Sequence, residues 1–142
     1  MTARQIEIIE NSWDILLLNP EEASEIFYTR LFFLDPRLRS LFGEDINSQA
    51  QKLTSMITFV VHKLHDLEKV MADVKELGLR HKKYGVSTEY FATLESALLW
   101  TLENRLGKMW DAETKDAWTT IYSILSNAMI EAVNEPQSIE IH

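Results

Sequence analysis

The chain has 142 residues, 46% of them hydrophobic, which is enough for one domain with a single hydrophobic core. A formal charge of −8 disfavours nucleic acid as a partner, and the lack of cysteine excludes disulfides, iron–sulfur clusters and thiolate metal sites. Neither an apolar run long enough to span a membrane nor a signal peptide is recognisable, so we expect a cytoplasmic protein without a membrane partner.

The spacing of apolar residues predicts an all-α fold. They recur at intervals of three and four, and only four glycines and three prolines interrupt them. The first helix is predicted over about residues 3–18. Asn19 and Pro20 then supply the cap and first-turn residue of a second helix, which carries Phe27, Tyr28, Leu31 and Phe32.

A second cap-and-proline pair, Asp35 and Pro36, predicts a short third helix over residues 37–41 that ends near Phe42 and Gly43. After a loop, a longer helix is predicted from about residue 47 to residue 66. One stripe of this helix consists of Gln49, Leu53, Met56, Val60 and Leu64.

The second half of the chain predicts three further helices. The first covers about residues 67–83 and would end at Gly85 as a left-handed cap. The next would be capped by Ser87 or Thr88 and end at Gly107, and the last would run from Asp111 to about Glu135. We expect one domain over residues 1–136 and a disordered tail over residues 137–142.

Histidines and carboxylates are the residue types left for metal chemistry, and one of the four histidines has a distinctive setting. His81 shares a helix face with Val70, Val74, Leu77 and Tyr84. On spacing alone, such a histidine is more often a core residue than a ligand. His62, His65 and the terminal His142 are expected to be solvated. The four tryptophans, Trp13, Trp100, Trp110 and Trp118, are expected to pack in the core.

Four segments, in this order, carry a resemblance to a known family: FYTRLFFLDPRLRSLF, NSQAQKL, LGLRHKKYGV and DAWTTIY. Together they resemble the globins along almost the whole chain, and in particular single-domain bacterial globins, neuroglobin-like proteins and the haem domain of flavohaemoglobins. The resemblance implies a globin fold, a three-over-three helical sandwich around a haem pocket. The implied cofactor is haem b, iron protoporphyrin IX.

The resemblance also implies roles for individual residues. It makes His81 the ligand of the iron, and it makes Phe42, Leu53, Leu77 and Val86 haem contacts. The gas-binding side would be formed by Tyr28 and Gln49 together with Leu53. A hydroxyl and an amide suit that side, because both donate hydrogen bonds to a partly negative oxygen ligand.

More than one interpretation of these residues is compatible with the sequence. Tyr28 is equally typical of a buried tyrosine bonded to a backbone carbonyl, and Gln49 of a solvated first-turn residue. The short loop before Gln49 leaves its helical register open, and a shift would give its role to Lys52 or Leu53. Phe42 is also typical of an apolar residue that closes a helix end, although stacking on a flat macrocycle would bury more of its ring.

The implied function is reversible binding of dioxygen, and of NO and CO, at a penta-coordinate iron. Neuroglobins place histidine where this chain has Gln49, and an amide is a poor sixth ligand.

A second function compatible with the residues is that of a nitric oxide dioxygenase that depends on an external reductase. Flavohaemoglobins use a tyrosine and a glutamate beside the proximal histidine. The resemblance matches these positions to Phe91 and Val133, and this difference weighs against the dioxygenase function. A gas or redox sensor, or a helical domain that has lost haem, would have the same fold, so the fold alone does not favour oxygen transport.

Overall fold

The computed structural model describes residues 1–43, 45–83 and 89–134, without the side chains of residues 81–83. No strand occurs among these residues, which confirms the all-α prediction. The α-helices are α1 (Ala3–Leu16), α2 (Pro20–Leu34), α3 (Ile46–His62), α4 (Met71–Lys83), α5 (Tyr90–Leu106) and α6 (Ala112–Asn134). Three 3₁₀ segments lie between them, Pro36–Phe42, Leu64–Val70 and Gly107–Met109.

Side-chain caps fix where the early helices begin. The Asn19 side chain accepts a hydrogen bond from the Glu22 amide at 3.2 Å, and Pro20 occupies the first turn of α2. The Asp35 carboxylate accepts one from the Arg37 amide at 3.1 Å. Each cap satisfies an amide that has no partner within its helix. The predicted starts at Asn19 and Asp35 are therefore confirmed.

The helices form two layers, with α1, α3 and α4 in one and α2, α5 and α6 in the other. Within the layers, α1 packs on α3, α2 on α5, and α5 on α6. Between the layers, α1 packs on α5 and α6, and α4 packs on α6. This is the predicted three-over-three sandwich.

Two tryptophans form hydrogen bonds between helices in the core, Trp118 between the two layers and Trp13 within the first layer. The Trp118 indole N–H donates to Ser12 Oγ at 2.8 Å, and the Trp13 indole N–H donates to Thr58 Oγ1 at 2.9 Å. Both rings are buried, so their predicted packing role is confirmed. The same prediction is wrong for Trp100, which is 40% exposed. It lies on the outward side of α5, because an apolar residue type does not specify which helix face packs inward.

The region between α3 and α4 also differs from the prediction. Helix α3 ends at His62 rather than near residue 66, and a 3₁₀ segment, Leu64–Val70, follows it. Asp66 breaks the helix with φ −143° and ψ 45°. Leu64 and Val70 stay buried across this kink. In both a 3₁₀ turn and an α turn, residues three or four positions apart lie on similar faces. The predicted apolar face is therefore kept although the helix type changes.

Some predictions fall outside the described residues. These are the cap at Gly85, the caps at Ser87 or Thr88, the end of the last helix at Glu135, and the tail over residues 137–142. None of the helices that the structure describes is long and apolar enough to cross a membrane.

Candidate functional site

An aromatic cluster lies where α2 meets the 3₁₀ segment Pro36–Phe42. The ring centroid of Tyr28 is 5.4 Å from that of Phe42 and 5.9 Å from that of Phe32, and those two phenylalanine rings are 5.6 Å apart. Phe27 adds an edge-on contact to Tyr28 at 5.0 Å. The sequence placed Tyr28 and Phe42 at the site. The structure brings them together although they are fourteen positions apart.

Tyr28 is a buried residue whose hydroxyl can donate a hydrogen bond. The residue is 5% exposed, and burial raises the pKa of Tyr28 to about 12, so the phenol keeps its proton at neutral pH. No hydrogen bond to this hydroxyl occurs among the described residues. No backbone carbonyl in the described part of the chain accepts a hydrogen bond from Tyr28, so the second interpretation of this residue gains no support there.

Gln49 and Leu53 lie one turn apart on α3. The Asp45 carboxylate caps this helix by accepting a hydrogen bond from the Ser48 amide at 3.0 Å, which fixes the register at Gln49. Gln49 and Leu53 are half-buried, whereas Lys52 is exposed. Leu53 packs against the apolar group that contains Tyr28 and Phe42. The structure thus joins Leu53 to the aromatic cluster and keeps Lys52 in solvent.

Helix α4 carries the predicted iron ligand, His81, in its last turn. The histidine side chain and Val86 lie outside the described residues. Leu77, one turn before His81, is half-buried, and Val74 is buried as the periodicity predicts. A Cβ atom on Gly78 would lie 2.8 Å from the Met129 Cα, Cβ and O atoms. The last turns of α4 are therefore set by a backbone-to-backbone approach to α6.

The arrangement of α3 and α4 is compatible with a flat cofactor between them. Among the described residues, α4 packs on α6 and α3 packs on α1, with at most marginal contact between α3 and α4. Phe42, Leu53 and Leu77 come from three different elements, and each keeps part of its apolar surface exposed. A porphyrin covers such surface, which lowers the free energy of the complex through the hydrophobic effect.

Two residues near the cluster were not among the sequence-predicted site residues. Phe32 contacts both Tyr28 and Phe42, and its four-residue spacing from Tyr28 was the available signal. The Arg39 guanidinium lies 5.6 Å from the Phe32 ring centroid and donates a hydrogen bond to the Gly43 carbonyl. No sequence signal distinguished Arg39 from the other surface cations.

Helices α5 and α6 carry the residues predicted to lie beside the iron ligand on α4. Phe91 is buried in the first turn of α5, and its carbonyl accepts a hydrogen bond of 2.5 Å from the Tyr122 hydroxyl. Val133 is half-buried near the end of α6, whereas Glu131 is exposed. The two positions that the resemblance predicts to match the flavohaemoglobin tyrosine and glutamate therefore carry apolar side chains.

Comparison with known proteins identifies the family. The family model described as Globin matches residues 25–129, a stretch that contains the aromatic cluster, α3, α4 and most of α6. The chain belongs to the globin family. Haem binding follows as the family's shared property, and the predicted fold is confirmed.

The globin relatives span nearly the full chain. The chain is 32% identical to neuroglobin from Danio rerio over 86% of each protein. It is 27% identical to the anaerobic nitrite reductase NSHB5 from Oryza sativa subsp. japonica, over 92% of this chain and 94% of that one. The crystallised bacterial globin from Campylobacter jejuni is 27% identical, with a TM-score of 0.79 over 92% of this chain and 95% of that one.

Proposed function

We propose that this globin binds dioxygen reversibly, together with NO and CO, at a haem b whose sixth coordination position is open. The observation that carries the proposal is buried Tyr28, whose hydroxyl is protonated and has no hydrogen bond among the described residues. When bound, haem supplies an iron that takes a diatomic gas and gives it partial negative charge. Tyr28 is then a donor in a setting with few competing acceptors.

The energetic value of such a donor depends on the charge of its acceptor. A hydrogen bond to a charged acceptor is worth about 1.5–3 kcal/mol, and each 1.4 kcal/mol is a factor of ten in an equilibrium constant. Tyr28 would thus retain dioxygen roughly ten- to a hundredfold longer. Carbon monoxide takes up much less charge, so the same hydroxyl would discriminate in favour of dioxygen. Gln49 would add an amide donor from the first turn of α3.

On the opposite side, His81 would hold the iron through its imidazole. Neutral imidazole is a common ligand for haem iron. The close approach of Gly78 to α6 fixes the helix one turn before this residue, and Leu77 contributes apolar surface beside it. Phe42, Leu53 and Val86 would complete the apolar contacts with haem and exclude water from it.

An open sixth position is part of the proposal because of the residue at position 49. An amide oxygen or nitrogen is a much weaker iron ligand than an imidazole, so Gln49 would leave the site free for an external gas. A cytoplasmic location, expected from the composition, also remains part of the proposal.

Redox enzyme functions are the second candidate. The chain's similarity to a nitrite reductase of rice, and the chemistry of NO with bound dioxygen, both lead to activities that require an external reductase. The side chains of Phe91 and Val133 are apolar, whereas tyrosine and glutamate side chains carry acceptor oxygens that make a ligating histidine more electron-donating. We therefore place gas binding ahead of nitric oxide dioxygenation, and a gas or redox sensor remains compatible with the same site.

A haemin titration tests the haem site. The purified chain, freed of haem, is titrated with haemin, and the Soret band is followed to its end point. We expect one haem per chain, and a ferrous spectrum with a single broad visible band, as for five-coordinate iron.

Two matched histidine variants locate the ligand. His81→Ala should lose stable haem, whereas His62→Ala, which removes an exposed histidine on α3, should titrate like the parent chain. Unchanged haem retention and an unchanged ferrous spectrum in His81→Ala would assign the ligand role to another residue. Two sharp visible bands in the ferrous parent would contradict the open sixth position.

A further inference from the structure

An aromatic groove lies on the outward side of α2 and α5, away from the Tyr28 cluster. Its volume is about 530 Å³. Phe33 is 71% exposed and Trp100 is 40% exposed, which is unusual for side chains of this size. The lining residues are Glu22, Glu25, Ile26, Thr29, Arg30, Phe33, Trp100 and Asn104. We call this surface the α2–α5 groove.

Arg30 lines the α2–α5 groove and is held by its aromatic neighbours. Its guanidinium carbon lies 4.1 Å from the Trp100 ring centroid and 5.2 Å from the Phe33 ring centroid. A guanidinium stacked on aromatic rings keeps its N–H edges available for a carboxylate. Among the salt bridges of the described residues, none involves Arg30.

Glu25 is the complementary charge on the same groove. It lies five positions before Arg30 on α2, which places the two charges on opposite sides of the stripe that contains Ile26 and Phe33. Glu25 also forms no salt bridge within the described part of the chain. The groove thus presents one available anion, one available cation, and exposed aromatic surface around the cation.

We propose that the α2–α5 groove is the contact surface of a symmetric homodimer of this globin. A two-fold axis that passes midway between the two charges exchanges their positions. It therefore places Glu25 of each copy opposite Arg30 of the other, twice in the same interface. Phe33 and Trp100 of both copies then lie beside these charge pairs, where their exposed aromatic surface is buried on association.

The charge of the groove favours a second copy over a basic partner. Glu22 is neutralised by Arg105 at 2.9 Å, and Glu25 and Arg30 carry opposite charges. The groove is therefore locally neutral, although the chain as a whole carries −8. A basic protein would be attracted to the acidic remainder of the surface rather than to this patch. Two copies meet here without bringing like charges together.

The size of the surface indicates a weak dimer. Helices α2 and α5 have 15 and 17 residues, which corresponds to lengths of about 23 and 26 Å, and two adjacent helices are about 20 Å wide. Such a strip lies near the lower limit of specific interfaces. We expect a dissociation constant on the order of 10–100 µM.

Sedimentation velocity over a range of protein concentrations tests the proposal on the full-length chain. Phe33→Gln should weaken dimerisation by about tenfold or more. Leu18→Gln is the matched control, because Leu18 is 83% exposed in the turn after α1 and does not line the groove. Equal effects of the two substitutions, or a parent chain that remains monomeric up to about 1 mM, would overturn the proposal.

A charge exchange tests the pairing itself. Glu25→Arg alone and Arg30→Glu alone should each weaken the dimer by about tenfold, because each creates two like-charged pairs across the two-fold axis. The double variant Glu25→Arg, Arg30→Glu restores opposite charges and should recover most of the loss. Circular dichroism checks that all variants keep the parent helix content. If the two single effects simply add in the double variant, the two residues do not meet and the proposed symmetry is wrong.

Discussion

Replacement of Gly78 by alanine tests whether α4 depends on its close approach to α6. The added Cβ would lie 2.8 Å from the Cα, Cβ and carbonyl oxygen of Met129. An ordinary contact between such atoms is about 3.5–4.0 Å, so the helices must separate by several tenths of an ångström or more. Two of the three atoms are backbone, and alanine at position 129 would retain all three. Substitution of the Met129 side chain by alanine therefore cannot relieve the clash.

A loss of stability in Gly78→Ala would show that the contact between α4 and α6 is tight, and a gain would show that it is not. Forcing a methyl group into a packed interface costs about 3 kcal/mol at the upper end of the usual range, and alanine in a helix is favoured over glycine by about 1 kcal/mol. The net expectation for Gly78→Ala is a loss of about 2 kcal/mol in the free energy of unfolding, measured by urea denaturation. Haem affinity should fall as well, because Gly78 lies one turn before His81.

A second alanine–glycine exchange on the same helix is the matched control. Ala72 is exposed in the first turn of α4, so Ala72→Gly should lower the stability by at most about 1 kcal/mol through helix propensity alone. If Gly78→Ala instead stabilises the protein by a similar amount, α6 does not constrain position 78. The double variant Gly78→Ala, Met129→Ala should be no more stable than Gly78→Ala alone.

Three further predictions concern the gas site, the core and acid stability. Tyr28→Phe should raise the dioxygen dissociation rate about tenfold in stopped-flow measurements, and an unchanged rate would show that the hydroxyl does not reach the ligand. Trp118→Phe removes the hydrogen bond to Ser12 and should cost about 2 kcal/mol in urea denaturation; a loss below half of that would mean the core adjusts. The pKa of Asp111 is lowered from 3.8 by its hydrogen bonds with Thr114, so its contribution to stability is present above pH 3.8 and is lost as the pH falls through the lower, folded-state value. Asp111→Asn should therefore show a shallower stability loss than the parent below pH 3.8, and identical acid profiles would contradict this.

Local sequence signals were sufficient for the helix starts and for the family. Asn19 and Asp35 fix the beginnings of their elements through bonds to residues two or three positions away, so the information is contained within a single turn. The buried stripe of Val70 and Val74 likewise follows from spacing alone. The resemblance to globins came from ordered segments of the chain and required no contact between them.

The candidate site was only partly accessible from the sequence. Tyr28, Phe42 and Leu53 were identified through the family, and the structure brings them into one apolar group. Phe32 was missed as a site residue, since an i, i+4 spacing is equally typical of ordinary core packing. The roles of His81 and Val86 remain predictions.

Contacts between distant segments were decided by the tertiary structure alone. By itself, Gly78 lowers the stability of its helix. Its missing side chain is needed only because the backbone of α6, about fifty positions later in the chain, lies against it. Trp100 was predicted to pack in the core, yet the packing of α2 on α5 leaves both Trp100 and Phe33 exposed around Arg30. Helix propensity and capping are local energies and can be inferred from neighbouring residues. Which helix face is buried depends on the summed packing of all helices, and no single segment contains that information.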